Sequence, residues 1–412
     1  MTDPLIVVRG VHFAGTLVAC GTVGFIRLVA EPAKVPSDGQ PLRNRLSILT
    51  LLALAVAILS GAAWLVLLAA DILGAPLLDV CLHGGAWPVL FETRFGLVWC
   101  VRFGVAVVLA LSLFRPVPKA IQLVVAALLL CLPAMVGHAG ATPGLSGDIH
   151  LASDMLHLLT AGAWLGSLPA FVLLIWQAQQ NPDPAWGDFA ARATRRFSTV
   201  AILSVSVLLA SGLVNSWNLL SSPRDTTDYG RLIAMKAALF ALMLAIAAVN
   251  RFYLTPRLPE RTAMRGLQRN SLAEILLGIC VLGFVGALGT LSPTAHTHAT
   301  TEPQDVAFVH IHAPEAMADV TIAPGRPGPV QTTIRVMRED LVVFPVKAVH
   351  LRLEPPSPTH PALEREGTDL GDGLWQVNGI TIPEPGIWTV KITVTPQPGE
   401  TVLLDAPIVI ER

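Results

Sequence analysis

The stretch "DIHLASDMLHLLTAGAWLGSLPAFVLLIW", Asp148 to Trp176, sets His150, Asp154 and His157 at i, i+4 and i+7. On a helix that spacing puts all three on one face. Two imidazoles and a carboxylate so placed are a metal-ligand set, and they stand at the mouth of a run apolar enough to cross a bilayer. Ionisable groups inside a membrane are costly and normally face a bundle interior or a wet cavity. His12 falls about two turns into the first apolar run, and His138 ends the fourth, with Met135 a turn before it. Imidazole, carboxylate and thioether together suit copper. The predicted ion-receiving site is therefore His12, His138, Asp154 and His157. Two alternatives stay open: His138 and His150 as solvated interfacial groups, and His12 and His157 as partners in interhelical hydrogen bonds. Arg102 and Lys236 fall at the same depth. Each is expected to form an ion pair, with Asp71 or Asp154, or to hold an anionic group. Glu274, at the opposite end, is expected to pair with a loop arginine.

A second cluster lies near the C-terminal part. "HTH" (His296, His298) precedes "VHIHAPEAM" (His310, His312, Met317). Residues two apart on a strand share a side, so His310 and His312 can grip one ion. Met317 offers a soft donor, and His296 and His298 are candidate helpers.

The elements that must position these groups follow from composition. Only 14% of the 412 residues are charged and 53% are hydrophobic, where a soluble domain carries about 25% charged residues. The apolar excess lies before residue 293, in eight runs near 5–30, 46–72, 95–114, 120–139, 151–176, 198–219, 230–250 and 271–292. The expected fold is mixed: an eight-helix transmembrane bundle over residues 1–293, a linker over 294–304, and a small all-β, immunoglobulin-like sandwich over 305–412. About seven short alternating runs separated by Pro and Gly carry the sandwich reading. No internal repeat is visible.

Loops after the odd-numbered runs hold Arg27, Lys34, Arg43 and Arg45; Arg115 and Lys119; Arg192, Arg195 and Arg196; and Arg251, Arg257, Arg261, Arg265 and Arg269. The other side has Arg9, Arg94, Arg224 and Arg231. Positive loops stay in the cytoplasm. The expected placement is thus the bacterial cytoplasmic (inner) membrane with both termini periplasmic. The N-terminus lacks a basic region and cleavage site, so the first run is expected to be retained.

Several classes are disfavoured. A net charge of −1 without a basic patch argues against nucleic acid. There is no GxxxxGK[ST] loop for ATP and no zinc-like cysteine spacing. None of the five cysteines lies after residue 280, so the tail has no disulfide.

Ordered segments then carry a resemblance: "GHAG", "DMLHLLTAGAWLGSLPAF", "RRFSTVAILSVSVLLASGLVNSW", "YGRLIAMKAALFALMLAIAAVNR" and "AEILLGICVLGFVGALGTLSP". Together they resemble the copper resistance protein D family over about 160 residues of the bundle. "TRFGLVWCVRFG" is similar to its less distinctive N-terminal half, and "DGLWQVNGITIPEPGIWTVKITV" to the sandwich some members carry behind the membrane part. The resemblance implies an inner-membrane protein of copper uptake or tolerance working with a periplasmic copper-binding chaperone. His138, Asp154 and His157 match its "GH" and "D…H" positions. A methionine-rich run is missing, which argues against high-capacity Cu(I) storage. The expected function is transport of the copper ion across the lipid bilayer after capture by the outward domain, with import favoured over export and no enzymatic activity. The alternatives are a haem- or quinone-linked redox protein and a non-transporting copper-binding scaffold.

Overall fold

In hydrocarbon, backbone amides have no water to bond, so long apolar segments must satisfy them within helices. The computed structural model describes residues 4–73, 76–82, 84–136, 144–220, 227–291, 306–312, 316–337, 346–356, 360–371, 373–396 and 401–410. The chain divides into two compact units, Met1–His298 and Ala299–Arg412.

In the first unit α1 is Pro4–Phe25, α2 Gln40–Leu73, α3 Leu77–Leu82, α4 Ala86–Glu92, α5 Arg94–Leu111 and α6 Lys119–Cys131. Then come α7 Gly144–Trp164, α8 Leu168–Gln180, α9 Pro184–Leu219, α10 Asp228–Val249 and α11 Arg261–Leu288. Among the described residues, seven helices are long and apolar enough to cross a membrane. The predicted third run corresponds to a shorter apolar helix, Phe95–Leu111, within α5. Helices α2, α9 and α11 begin well before their apolar runs. Their polar first turns are rich in Arg, Ala, Leu and Gln, which favour helix outside the bilayer as well as in it, and an apolar window cannot see them.

The predicted fifth run is broken. A short 3-10 turn, Leu165–Ser167, separates α7 from α8, with Pro169 in the first turn of α8. Proline removes one helical hydrogen bond and clashes with the carbonyl four residues back. At this break the backbone meets α1: a Cβ on Gly21 would collide with Gly162 and Gly166, and one on Gly166 with Leu17. Small residues let membrane helices approach this closely. Ser167 Oγ seals the contact by donating to the Gly21 carbonyl at 2.9 Å. Helix α1 is the central post. Of its apolar window 61% is buried in protein, against 6% for Asp228–Arg257 at the periphery, and it packs on α2, α6, α7 and α11.

The second unit is a sandwich of two antiparallel sheets. The strands are β1 Ala307–His312, β2 Met317–Ala323, β3 Gly328–Met337, β4 Val346–Glu354, β5 Leu363–Glu366, β6 Thr368–Gly371, β7 Leu374–Ile382, β8 Gly386–Pro396 and β9 Val402–Ile410. One sheet has the order β1-β2-β3-β7-β6 and the other β5-β4-β8-β9. Alternation supplies the core: Val320 and Ile322, Ile334 and Val336, Val349 and Leu351, and Val390 and Ile392 meet around Trp388. Strands β5 and β6 were not expected from the sequence. Both are four-residue edge strands with little buried side chain, so they leave no alternating pattern.

Candidate functional sites

His12 sits in the first turns of α1, buried to 2% exposure. Its Nδ1 lies 2.9 Å from the Ala57 carbonyl on α2. Its Nε2 lies 2.6 Å from an Nη of Arg102 on α5. A carbonyl only accepts, so Nδ1 carries the proton and donates, leaving Nε2 to accept from the guanidinium. The imidazole is therefore neutral, with its lone pair in use. Arg102 also donates to the Leu129 carbonyl at 2.9 Å and lies over the Trp99 ring. It thus pairs with His12 rather than with Asp71 as expected, because Asp71 is exposed at the end of α2. Trp64 and Trp99 stand edge-on to the imidazole, and Gly61 leaves room for it: a Cβ there would sit 3.3 Å from His12 Nδ1.

The second cluster surrounds α7. Asp154 accepts from Asn215 Nδ2 on α9 at 3.3 Å. One turn on, His157 Nδ1 is 3.0 Å from Ser211 Oγ, also on α9. Lys236 of α10 interacts electrostatically with both Asp154 and His157. His150 interacts with Asp154 too and is buried, not a solvated interfacial group. Each of the two deeper histidines makes an interhelical hydrogen bond, the alternative to metal ligation left open above. Helices α1 and α7 pack together, yet His12 is held by Arg102 and Asp154 and His157 by polar groups of α9 and α10. Among the described residues, no three His, Cys, Asp or Glu side chains gather as a metal cluster. His138, His296 and His298 lie outside the described residues.

A haem reading gains no support here. An axial imidazole must offer a free ring nitrogen to iron, and His12, with both of its nitrogens engaged, offers none in this arrangement. Glu274 does not pair with a loop arginine either. Among the described residues its partner is Asn250, whose Nδ2 donates to Oε2 at 3.4 Å.

In the second unit the register carries the information. His310 pairs across β1 and β2 with Asp319, and His312 with Met317. Met317 in turn pairs with Met337 on β3. The backbone therefore lines up His312, Met317 and Met337 across three strands. Met317 is buried. Met337 was missed in the sequence because its place beside Met317 arises from strand pairing, which no local spacing reveals.

These features define a multi-span membrane protein with buried histidine, carboxylate and cationic side chains, joined to a β-sandwich. The sequence matches the families described as copper resistance protein D over residues 191–288 and copper resistance protein D-like, N-terminal domain, over residues 1–148. It is 30% identical over 313 residues to copper resistance protein D of Pseudomonas syringae pv. tomato, covering 71% of this chain and 98% of that one. It is 32% identical over 214 residues to inner membrane protein YebZ of Escherichia coli (strain K12), covering 50% of this chain and 72% of that one. Against copper transport protein CutJ of Bacillus subtilis (strain 168) it is 29% identical over 337 residues, 75% of this chain but only 59% of the relative's length. The chain belongs to the copper resistance protein D family.

Proposed function

We propose that this protein moves copper across the cytoplasmic membrane, inward, after the β-sandwich captures the ion on the periplasmic side. The observation that carries the reading is the Asp154–His157 pair: a carboxylate and an imidazole one turn apart on α7, within a bundle of a copper-handling family. Ser211 holds His157 Nδ1, and Nε2 is the ring nitrogen that would meet an ion. Asp154 either ligates or orients, and such supporting partners commonly change metal affinity by about 10- to 100-fold. His12 and His138 complete the ion-receiving site, and His12 does so once Arg102 withdraws. His310, His312 and Met317 form the capture site on the sandwich, with His296 and His298 guiding the ion onward. A periplasmic copper-binding chaperone is the donor, and copper is cargo rather than the cofactor of an enzyme. The basic loops set the orientation, with both termini outside.

The test is copper accumulation by cells and by vesicles holding the purified protein. His157→Ala is expected to lose accumulation while inserting normally, since removing a polar group eases insertion. Asp154→Asn is expected to weaken it. Copper that binds without crossing would make the protein a scaffold. A reporter fused after Arg412 is expected to be active only outside, and activity only in the cytoplasm would overturn the orientation.

A further inference from the structure

A cavity of about 40 Å³ opens between α8, α9, α11 and the turn that follows α10. Its lining is part apolar, with Trp164, Phe171 and Phe197, and part polar. Glu274 and Ser271 of α11 line it, together with Ser198, Asn250, Arg251 and Thr255. Glu274 and Ser271 are 2% and 1% exposed. Set at i and i+3, they lie on one helix face. Among the described residues, Glu274 Oε1 and Ser271 Oγ are both buried without a hydrogen-bond partner.

The surrounding bonds explain why no protein group fills that role. Asn270 Nδ2 donates to Asn250 Oδ1 at 2.8 Å, which turns the Asn250 amide nitrogen toward Glu274 Oε2 at 3.4 Å. Arg251 is the other charged residue lining the cavity, and it donates to Ser198 Oγ at 3.0 Å. Thr255 donates to the Asn250 carbonyl at 2.7 Å. Asn250 opens a π-turn, Asn250–Leu254, a departure from α-helix that is frequent at functional sites. What remains among the described residues is one carboxylate oxygen and one hydroxyl without a partner, on two residues that line a space large enough for a small ion with water.

Arg251 is engaged by Ser198, so among the described residues Glu274 has no ion pair, and a buried carboxylate left so calls for a positive partner. The donor set identifies which kind. Apart from the Arg251 guanidinium, which is engaged by Ser198, the polar side chains that line it offer oxygen or amide, and none of the lining residues is His, Cys or Met. Oxygen donors select hard cations, while copper prefers imidazole and sulfur.

We propose that this cavity binds a hard monovalent cation, a sodium ion or a proton carried by water, on Glu274 with Ser271 as the second donor. The site is separate from the copper-handling residues, and its existence does not depend on them.

The test uses the purified full chain in detergent, with radioactive sodium as one probe and acid–alkaline infrared difference spectra as the other. For a sodium site, the parent binds sodium saturably and Glu274→Gln weakens binding at least about tenfold. For a proton site, the parent shows a carboxyl carbonyl band that Glu274→Gln removes. Ser271→Ala, a milder change, is expected to weaken sodium binding or shift that band, and it serves if the glutamine variant does not fold. The proposal is overturned if the parent shows neither signal, or if Glu274→Gln and Ser271→Ala leave both unchanged.

Discussion

Arg102 on α5 and His12 on α1 meet inside the bundle, an Nη of the guanidinium 2.6 Å from the imidazole Nε2. The pair is asymmetric. His12 stays neutral and still donates to Ala57 if Arg102 is removed. Arg102, by contrast, keeps its charge in a place where it is 3% exposed. Breaking a buried interaction costs most when it strands the charged member. His12→Ala is therefore expected to destabilise the bundle by about 3 kcal/mol, and Arg102→Met by about 2 kcal/mol. Thermal unfolding in detergent measures both. The reverse order would mean that the guanidinium finds water or another acceptor once His12 is gone. A copper ion that uses His12 Nε2 has to displace Arg102, so Arg102→Met is also expected to tighten any copper binding that depends on His12.

Gly21 and Gly166 hold α1 against the turn between α7 and α8, backbone on backbone. A methyl group at either position has no flexible side chain to push aside. Gly166→Ala is expected to separate the two helices and cost about 1–3 kcal/mol, the range for overpacking. Because α7 carries Asp154 and His157, the same change should lower copper-dependent function even though residue 166 touches no ion. Gly24→Ala on the same helix is the control, since a Cβ there meets nothing within 4 Å. If both alanine variants melt alike, the contact does not set the helix separation.

On the sandwich, Glu354 accepts from Lys391 at 2.9 Å and from Arg352 at 3.1 Å. The hydrogen bond from Lys391, helped by that from Arg352, holds its carboxyl below the usual glutamate range. A depressed carboxylate stabilises the fold above its unfolded-state value, and that contribution is lost as pH falls through the folded one. The group lies at the surface, so the effect on stability is small. The sharper observable is the midpoint itself. In an NMR titration of residues 299–412, Glu354 is expected to titrate low, and Lys391→Met to move it upward. A midpoint unmoved by Lys391→Met would show the ion pair to be absent in solution.

The helices were readable because membrane spans announce themselves by length and apolarity. The break at Leu165–Ser167 was not, since its apolar residues continue the run and only Pro169 hints at it. Of the ionisable groups, depth was legible and partnership was not. His12 and Arg102 fall at one depth on separate helices, but which helix packs beside α1 depends on small residues such as Gly21 that carry no chemical signal. Trp64 and Trp99, which wall the His12 pocket, read as ordinary apolar residues for the same reason. In the tail, seven strands alternate visibly, whereas "LERE" and "TDLG" pair only as sheet edges and bury too little to leave a pattern. Glu274 was noticed in the sequence but given a salt bridge. Its partner is instead Asn250, an amide that Asn270 orients from the same helix as Glu274, and no local spacing reveals that.

The register His312–Met317–Met337 yields the last prediction. Directly opposed residues on neighbouring antiparallel strands have Cβ atoms about 4.5–5.5 Å apart. One histidine and two methionines thus occupy neighbouring register positions, the residue types a soft ion takes as ligands. Thioethers favour Cu(I), so the captured ion is expected to be Cu(I), bound more tightly than Cu(II). Leucine nearly matches methionine in volume, so Met317→Leu and Met337→Leu are expected to change stability by less than about 1.5 kcal/mol. The double variant should nevertheless lose about tenfold or more in Cu(I) affinity, measured by competition with a chromophoric chelator, while Cu(II) binding through His310 and His312 changes little. His310→Ala with His312→Ala should abolish both. Undiminished Cu(I) affinity in the methionine double variant would make the row a packing feature and leave the histidines as the capture site by themselves.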